Sequence, residues 1–170
     1  MEVILVRHAK AENRDANTWP DDDQRPLTAE GRAEQRAATR SMRKMGIKFD
    51  FLVTSPLLRA RETADILAKG YRWPEPPQVA DELGHAYGAG AVVKLLAKFP
   101  PGATVALVGH EPDLSNLAGA LVTRDGRLNI AVKKSGVVGI EFEGPAEEAN
   151  SNVDRASRLG RSRQGAVTRL

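Results

Sequence analysis

The chain contains no cysteine. That excludes a disulfide framework, a cysteine metal site and a cysteine-nucleophile phosphatase. Aromatic residues are scarce, at 5%. None interleaves with the arginines near the C-terminus, so no base-stacking platform is indicated there and nucleic acid is not expected as a partner. Long apolar runs are also missing. Met1–Val6 is broken at once by Arg7, far short of the roughly 20 residues that span a bilayer. The opening has neither a basic leader region nor a small-residue cleavage site. The expectation is a cytoplasmic protein with no membrane partner.

What is present suits one compact domain. The chain has 170 residues, 41% of them hydrophobic and 28% charged, which is enough apolar material for a sizeable core. The net charge of +3 is unevenly spread. Arg155, Arg158, Arg161, Arg163 and Arg169 face only Asp154 in the last nineteen residues, so the rest of the chain is slightly acidic. Beyond Pro145 the apolar periodicity weakens and Ser, Asn, Arg and Gly dominate. We therefore expect a domain over residues 1–145 and a basic, flexible tail over 146–170.

Short β-branched runs alternate with helical patterns. Strands are expected at Glu2–Val6, Phe51–Thr54, near Val79, at Thr104–Val108 and at Val137–Phe142, with Asn129–Val132 as a further candidate. One helix follows the N-cap residue Thr28, presents Ala33, Ala37, Met42 and Met45 on one face, and stops at Gly46. Another is read from Ser55-Pro56, as cap and first-turn proline, to Lys69, with Leu57, Ala60, Ala64 and Leu67 on one face. Helices over Ala91–Phe99 and Asp113–Val122 complete the pattern. This alternation predicts a three-layer α/β fold, a largely parallel sheet flanked by helices.

In open α/β sheets ligands bind beyond the carboxyl ends of the strands. Three predicted strands end in groups suited to one ligand class. The first ends in Arg7-His8, the Thr104–Val108 strand in Gly109-His110, and the second in Thr54-Ser55, leading to Arg59 in a helix first turn. Two arginines and two histidines beside a helix N-terminus make a site for a phosphoryl dianion. A neutral imidazole can attack phosphorus, and the resulting adduct is labile to water.

Four blocks resemble the histidine phosphatase superfamily, the phosphoglycerate mutase-like group. They are Val6-Arg7-His8-Ala9, the run Arg25-Pro26-Leu27-Thr28-Ala29-Glu30-Gly31, the run Thr54-Ser55-Pro56-Leu57-Leu58-Arg59 continuing to Ala64, and Val108-Gly109-His110-Glu111-Pro112. They occur in family order and span residues 2 to about 142. The short chain is most similar to SixA-type phosphohistidine phosphatases. The resemblance implies a metal-independent and cofactor-free phosphohydrolase with His8 as the phosphorylated nucleophile. It also implies that Arg7 and Arg59 clamp phosphate oxygens and that His110 donates to the transferring phosphoryl group. The expected substrate is a protein phosphohistidine, with a small phosphate monoester or other phosphorylated metabolite on the same site as the alternative.

Where relatives carry an acidic proton donor, this chain reads Asp81-Glu82-Leu83-Gly84-His85. His85 occupies the expected position, and Glu82 is its neighbouring alternative. A labile P–N bond needs less acid assistance, which favours a phosphoramidate substrate. Ser135 stands where relatives have a threonine and is a candidate phosphate contact. Asp21–Asp23 reads as a solvated loop rather than a magnesium-dependent nucleophile cluster. Glu62 and Thr63 are read as orienting the surroundings of Arg59. Two other readings compete with the phosphatase. In one, His8, His85 and His110 ligate a metal together with an aspartate, although interleaved arginines would repel a cation. In the other, the chain is a binding module that uses its arginine-rich tail.

Overall fold

A computed structural model describes residues 1–85, 87–123, 128, 130–142 and 168–169. The central sheet contains β1 (Glu2–Arg7), β2 (Phe51–Thr54), β3 (Gln78–Val79), β4 (Thr104–Gly109) and β5 (Val137–Glu141), in the order β3-β2-β4-β1-β5. Strands β3, β2, β4 and β1 are mutually parallel, and β5 is antiparallel to β1. Thr168–Arg169 (β6) extends the β5 edge as a further antiparallel strand. The rest of the basic tail lies outside the described residues. Ile130–Val132 form no strand, and Asn129 is not described.

The continuous apolar strands are explained by burial on both faces. In β1, Val3 and Leu5 point into one core with Val105, Leu107, Leu114 and Leu117. Ile4 and Val6 point into the other with Leu52, Ala106, Ala64 and Leu67. Helices α3 (Ala89–Leu96) and α4 (Asp113–Val122) cover the first face, and α1 (Ala29–Lys44) and α2 (Leu58–Tyr71) cover the second. Among the described residues no helix is long and apolar enough to cross a membrane. Trp73 packs against Phe49 at 4.9 Å between ring centroids. It therefore covers core.

Two helical readings are corrected. The buried face of α1 is Gly31, Gln35, Thr39 and Met42, while Ala33 and Ala37 are exposed and Met45 is 57% exposed. The reason is steric and polar together. Thr39 Oγ1 donates to the Gln35 carbonyl at 2.8 Å, which satisfies a hydroxyl inside the helix. A Cβ on Gly70 of α2 would lie 2.4 Å from the Thr39 methyl, so the helices approach where these small groups meet. Helix α2 begins at Leu58, and Ser55-Pro56 forms a bend before it rather than its cap and first position. Ser55 instead accepts from the Leu57 amide at 3.3 Å and reaches across to another strand end, as described below.

The N-terminus of α1 is held close to β1. Thr28 accepts from the Gly31 amide at 2.9 Å as the N-cap, and its own amide donates to the Lys10 carbonyl at 3.0 Å. A Cβ on Gly31 would lie 2.0 Å from that same Lys10 oxygen. Backbone cannot yield there as a flexible side chain would. Gly31→Ala is therefore expected to lower unfolding free energy by about 3 kcal/mol, measurable by urea denaturation, whereas Ala33→Gly on the exposed face should cost about 1 kcal/mol.

Candidate active site

Strand register gathers the site. Arg7 pairs with Gly109 across β1 and β4, so the next residues, His8 and His110, emerge side by side. Their ring centroids are 5.0 Å apart. Thr54 pairs with Val108, so Ser55 emerges on the other side of His110. Ser55 Oγ lies 2.8 Å from His110 Nε2. Arg59, in the first turn of α2, is 3% exposed. The structure thus brings together Arg7, His8, Arg59 and His110.

The His8 tautomer follows from its partner. Nδ1 lies 2.7 Å from the Ala9 carbonyl, which only accepts, so Nδ1 carries the proton and Nε2 keeps its lone pair. Burial lowers the His8 pKa to about 4, and the charges of Arg59, Arg7 and Lys134 push the same way against the opposing Ala9 bond. His110 is also held well below the usual histidine range, first by burial and then by His8 and Arg59. Both rings are neutral at pH 7. When Ser55 donates its hydroxyl proton to His110 Nε2, the Nδ1–H of that ring is left as a donor. His110 Nδ1, Arg7 Nε and Arg59 Nε are all buried and have no hydrogen-bond partner among the described residues. Buried polar atoms without partners are rare in folded chains, and nitrogens of this kind at the strand ends suit an anion.

Each arginine is braced by neighbouring groups. Arg7 Nη1 donates to the Val132 carbonyl at 2.9 Å. The Val132 amide in turn donates to Glu111 at 2.7 Å, and Ser115 donates to the other oxygen of that carboxylate at 2.7 Å. Arg59 Nη1 donates to the Asp22 carbonyl at 2.9 Å and approaches its carboxylate at 3.3 Å. Thr63 donates to the Arg59 carbonyl at 2.7 Å and accepts from the Ala9 amide at 3.1 Å, tying α2 to the segment that carries His8. Glu62 accepts from the Leu27 amide and from Arg32.

Asp22 corrects the solvated reading of the acidic run. Asp21 and Asp23 are exposed, but Asp22 holds Arg59 and accepts from Arg25 Nε at 2.8 Å and Arg14 Nε at 3.2 Å. These guanidinium groups, Arg25 foremost, hold its carboxyl well below the usual carboxylate range. Nothing in the local sequence signals this contact, because Arg59 lies 37 positions away.

The two proton-donor candidates separate. His85 Nε2 lies 3.1 Å from Arg59 Nη2 and must accept from it, and its ring is 5.2 Å from that of His110. Glu82 instead turns to Lys98 at 3.6 Å. Asp113, in the first turn of α4, was not singled out by its sequence context. Burial raises its carboxyl pKa. Ser135 lines a small cavity of about 200 Å³ with Ala38, Ser41, Met42 and Val137. No described contact joins it to either histidine. Among the described residues no group of three or more His, Asp or Glu side chains is spaced to hold a metal ion.

The fold and site define an α/β domain with paired buried histidines and two arginines at the carboxyl ends of its parallel strands. The chain belongs to the histidine phosphatase superfamily, whose branch 1 family model matches residues 3–89. It is a phosphatase of that superfamily by family and architecture. An uncharacterised protein of Picosynechococcus is 35% identical over 142 residues, covering 82% of this chain and 84% of that protein. A 2,3-bisphosphoglycerate-dependent phosphoglycerate mutase of Methylobacterium is 40% identical over 83 residues, but these are 47% of this chain and 38% of the mutase. In fold, the chain matches the protein histidine phosphatase SixA complexed with tungstate, at TM-score 0.73 and 24% identity over 88% of this chain and 92% of that one. The α-ribazole phosphatase of Shigella flexneri matches at 0.60 and 17% identity, over 85% and 92%.

The depressed His8 pKa makes stability depend on pH in a defined direction. The unfolded ring binds a proton near pH 6.5 and the folded ring only near 4. Stability from this group is therefore complete above 6.5 and is lost as the pH falls toward 4. His8→Asn, which carries no titrating ring, should retain about 3 kcal/mol of the stability that the wild type loses by pH 4. Urea titrations at pH 7 and pH 4 compare the two.

Proposed function

We propose that the protein removes phosphoryl groups from phosphohistidine side chains of other proteins through a covalent intermediate on His8. The observation that carries this reading is the neutral His8 ring, its Nδ1–H held by Ala9 and its Nε2 lone pair free, among donors of Arg7, Arg59 and His110. In the first step the Nε2 lone pair forms a bond to phosphorus as the P–N bond to the substrate imidazole breaks. The leaving nitrogen departs with the bonding electron pair. When the substrate ring is already protonated on its other nitrogen, it leaves as neutral imidazole, and no enzyme acid is needed. Arg7, Arg59 and the His110 Nδ1–H stabilise the charge spread over the equatorial oxygens. In the second step water attacks the phospho-His8 phosphorus, the N–P bond breaks back to His8, and phosphate is released.

The proton-donor region supports a phosphoramidate. Glu82 is engaged with Lys98, and His85 receives a hydrogen bond from Arg59, so neither offers a free carboxylic acid beside the leaving group. The likeness to SixA supports the same substrate class. The alternative on small monoesters needs a proton donor for an alkoxide leaving group, and Asp113, in the first turn of α4 with its carboxyl pKa raised by burial, is the candidate to test.

His8→Ala is expected to lower kcat on a phosphohistidine protein by at least about 10³-fold while leaving the circular dichroism spectrum unchanged. Turnover that survives this substitution would overturn the intermediate. The wild type quenched in alkali should carry one acid-labile phosphate, and full activity should persist in excess chelator. A panel of phosphohistidine protein against small monoesters tests the substrate class. The expected ranking places the phosphoramidate first, with Asp113→Asn affecting only the monoesters.

A further inference from the structure

A cleft of about 510 Å³ runs between α1 and α2, outside the histidine site. One wall carries Arg32, Arg36, Arg40 and Arg43, spaced by three or four residues and so on one face of α1. Lys69 adds a further positive charge from α2. Arg32 is committed to Glu62 and Arg43 to the Gly70 carbonyl. Arg36 and Arg40 are exposed, and among the described residues neither has an ion-pair partner. The floor is fixed, because Gly70 and Thr39 meet there and Ile66 contributes apolar surface. The near end of the cleft, at Glu62, is one helical turn past Arg59. The far end, at Lys69, is about 15 Å along the same helix.

We propose that this cleft docks an acidic helical segment of the phosphorylated protein substrate while its phosphohistidine enters the site at His8. The inference rests on the protein-phosphohistidine reading given above and adds the surface that selects the partner. Two unpaired arginines on a rigid groove, continuous through α2 with the phosphoryl site, call for carboxylates of complementary spacing. A nucleic acid fits less well. Its uniformly negative backbone would meet Glu62 and Asp65 on the α2 wall, whereas a peptide can place neutral or basic residues there. Attraction of this kind acts mainly on encounter and weakens as salt screens it.

The test is charge reversal, Arg36→Glu with Arg40→Glu, in the full chain. The substrates are an acidic histidine-phosphotransfer domain phosphorylated with phosphoramidate, and free phosphohistidine. Expected is a rise in KM of about tenfold on the phosphorylated domain with kcat unchanged, no change on free phosphohistidine, and loss of the difference at high salt. A second readout is anisotropy of a labelled, glutamate-faced helical peptide, which should bind the wild type about tenfold more tightly than the reversed variant. Equal KM for both proteins on the phosphorylated domain overturns the groove. So does tighter, reversal-sensitive binding of a single-stranded DNA 20-mer, or a wild-type dimer in sedimentation that the reversal dissociates. If neither phosphohistidine compound is turned over by the wild type, the substrate reading fails instead, whatever the peptide shows.

Discussion

The parallel pairing of β1 with β4 is the constraint on which the site depends. Six residue pairs, from Glu2–Thr104 to Arg7–Gly109, lock two chain segments about a hundred residues apart into one register. The bond from the His8 amide to the Gly109 carbonyl, at 3.0 Å, carries that register one step past the strands. A slip by one residue would send either imidazole to the opposite face of the sheet. Since the strands are buried on both faces, no slipped pairing keeps Val3 and Leu5 in one core and Ile4 and Val6 in the other. Core packing therefore sets the geometry of the histidines, and no loop has to do so.

Around that pair, the protein neutralises its rings by burial and leaves positive charge to the arginines. This division of labour has a physical logic. A neutral imidazole keeps the lone pair needed for attack, while a guanidinium remains charged in surroundings that would strip a proton from histidine. Asp22 tempers the arrangement by engaging one end of Arg59, and His85 engages the other. The guanidinium is thus held in one orientation by its two neighbours.

Much of this was legible in the residue order. Apolar β-branched runs ending in Arg7-His8 and Gly109-His110 reveal both the strands and what they present, because strand ends and ligand sites coincide in this architecture. Helix α1 was misread by hydropathy alone. Ala33 and Ala37 look like an interior face, yet Gln35 and Thr39 are buried; the Thr39 hydroxyl is satisfied by the Gln35 carbonyl within the helix, and Gly70 admits the Thr39 methyl closely. The Ser-Pro pair at 55 and 56 has the form of a helix start, but His110, unseen from sequence distance, claims the serine. Asp22 acquires its role only through its contact with Arg59, 37 positions away, and single-sequence patterns do not encode such contacts.

The brace from Ser115 through Glu111 and Val132 to Arg7 has a consequence for descent with change. The Arg7 guanidinium is steadied by the backbone of a connecting segment that lies beyond the span matched by the family model. Drift in that segment can re-aim a guanidinium while every diagnostic residue stays intact. Two cousins with identical signatures can thus differ in catalytic vigour, and the difference would have to be sought in an unremarked stretch of main chain.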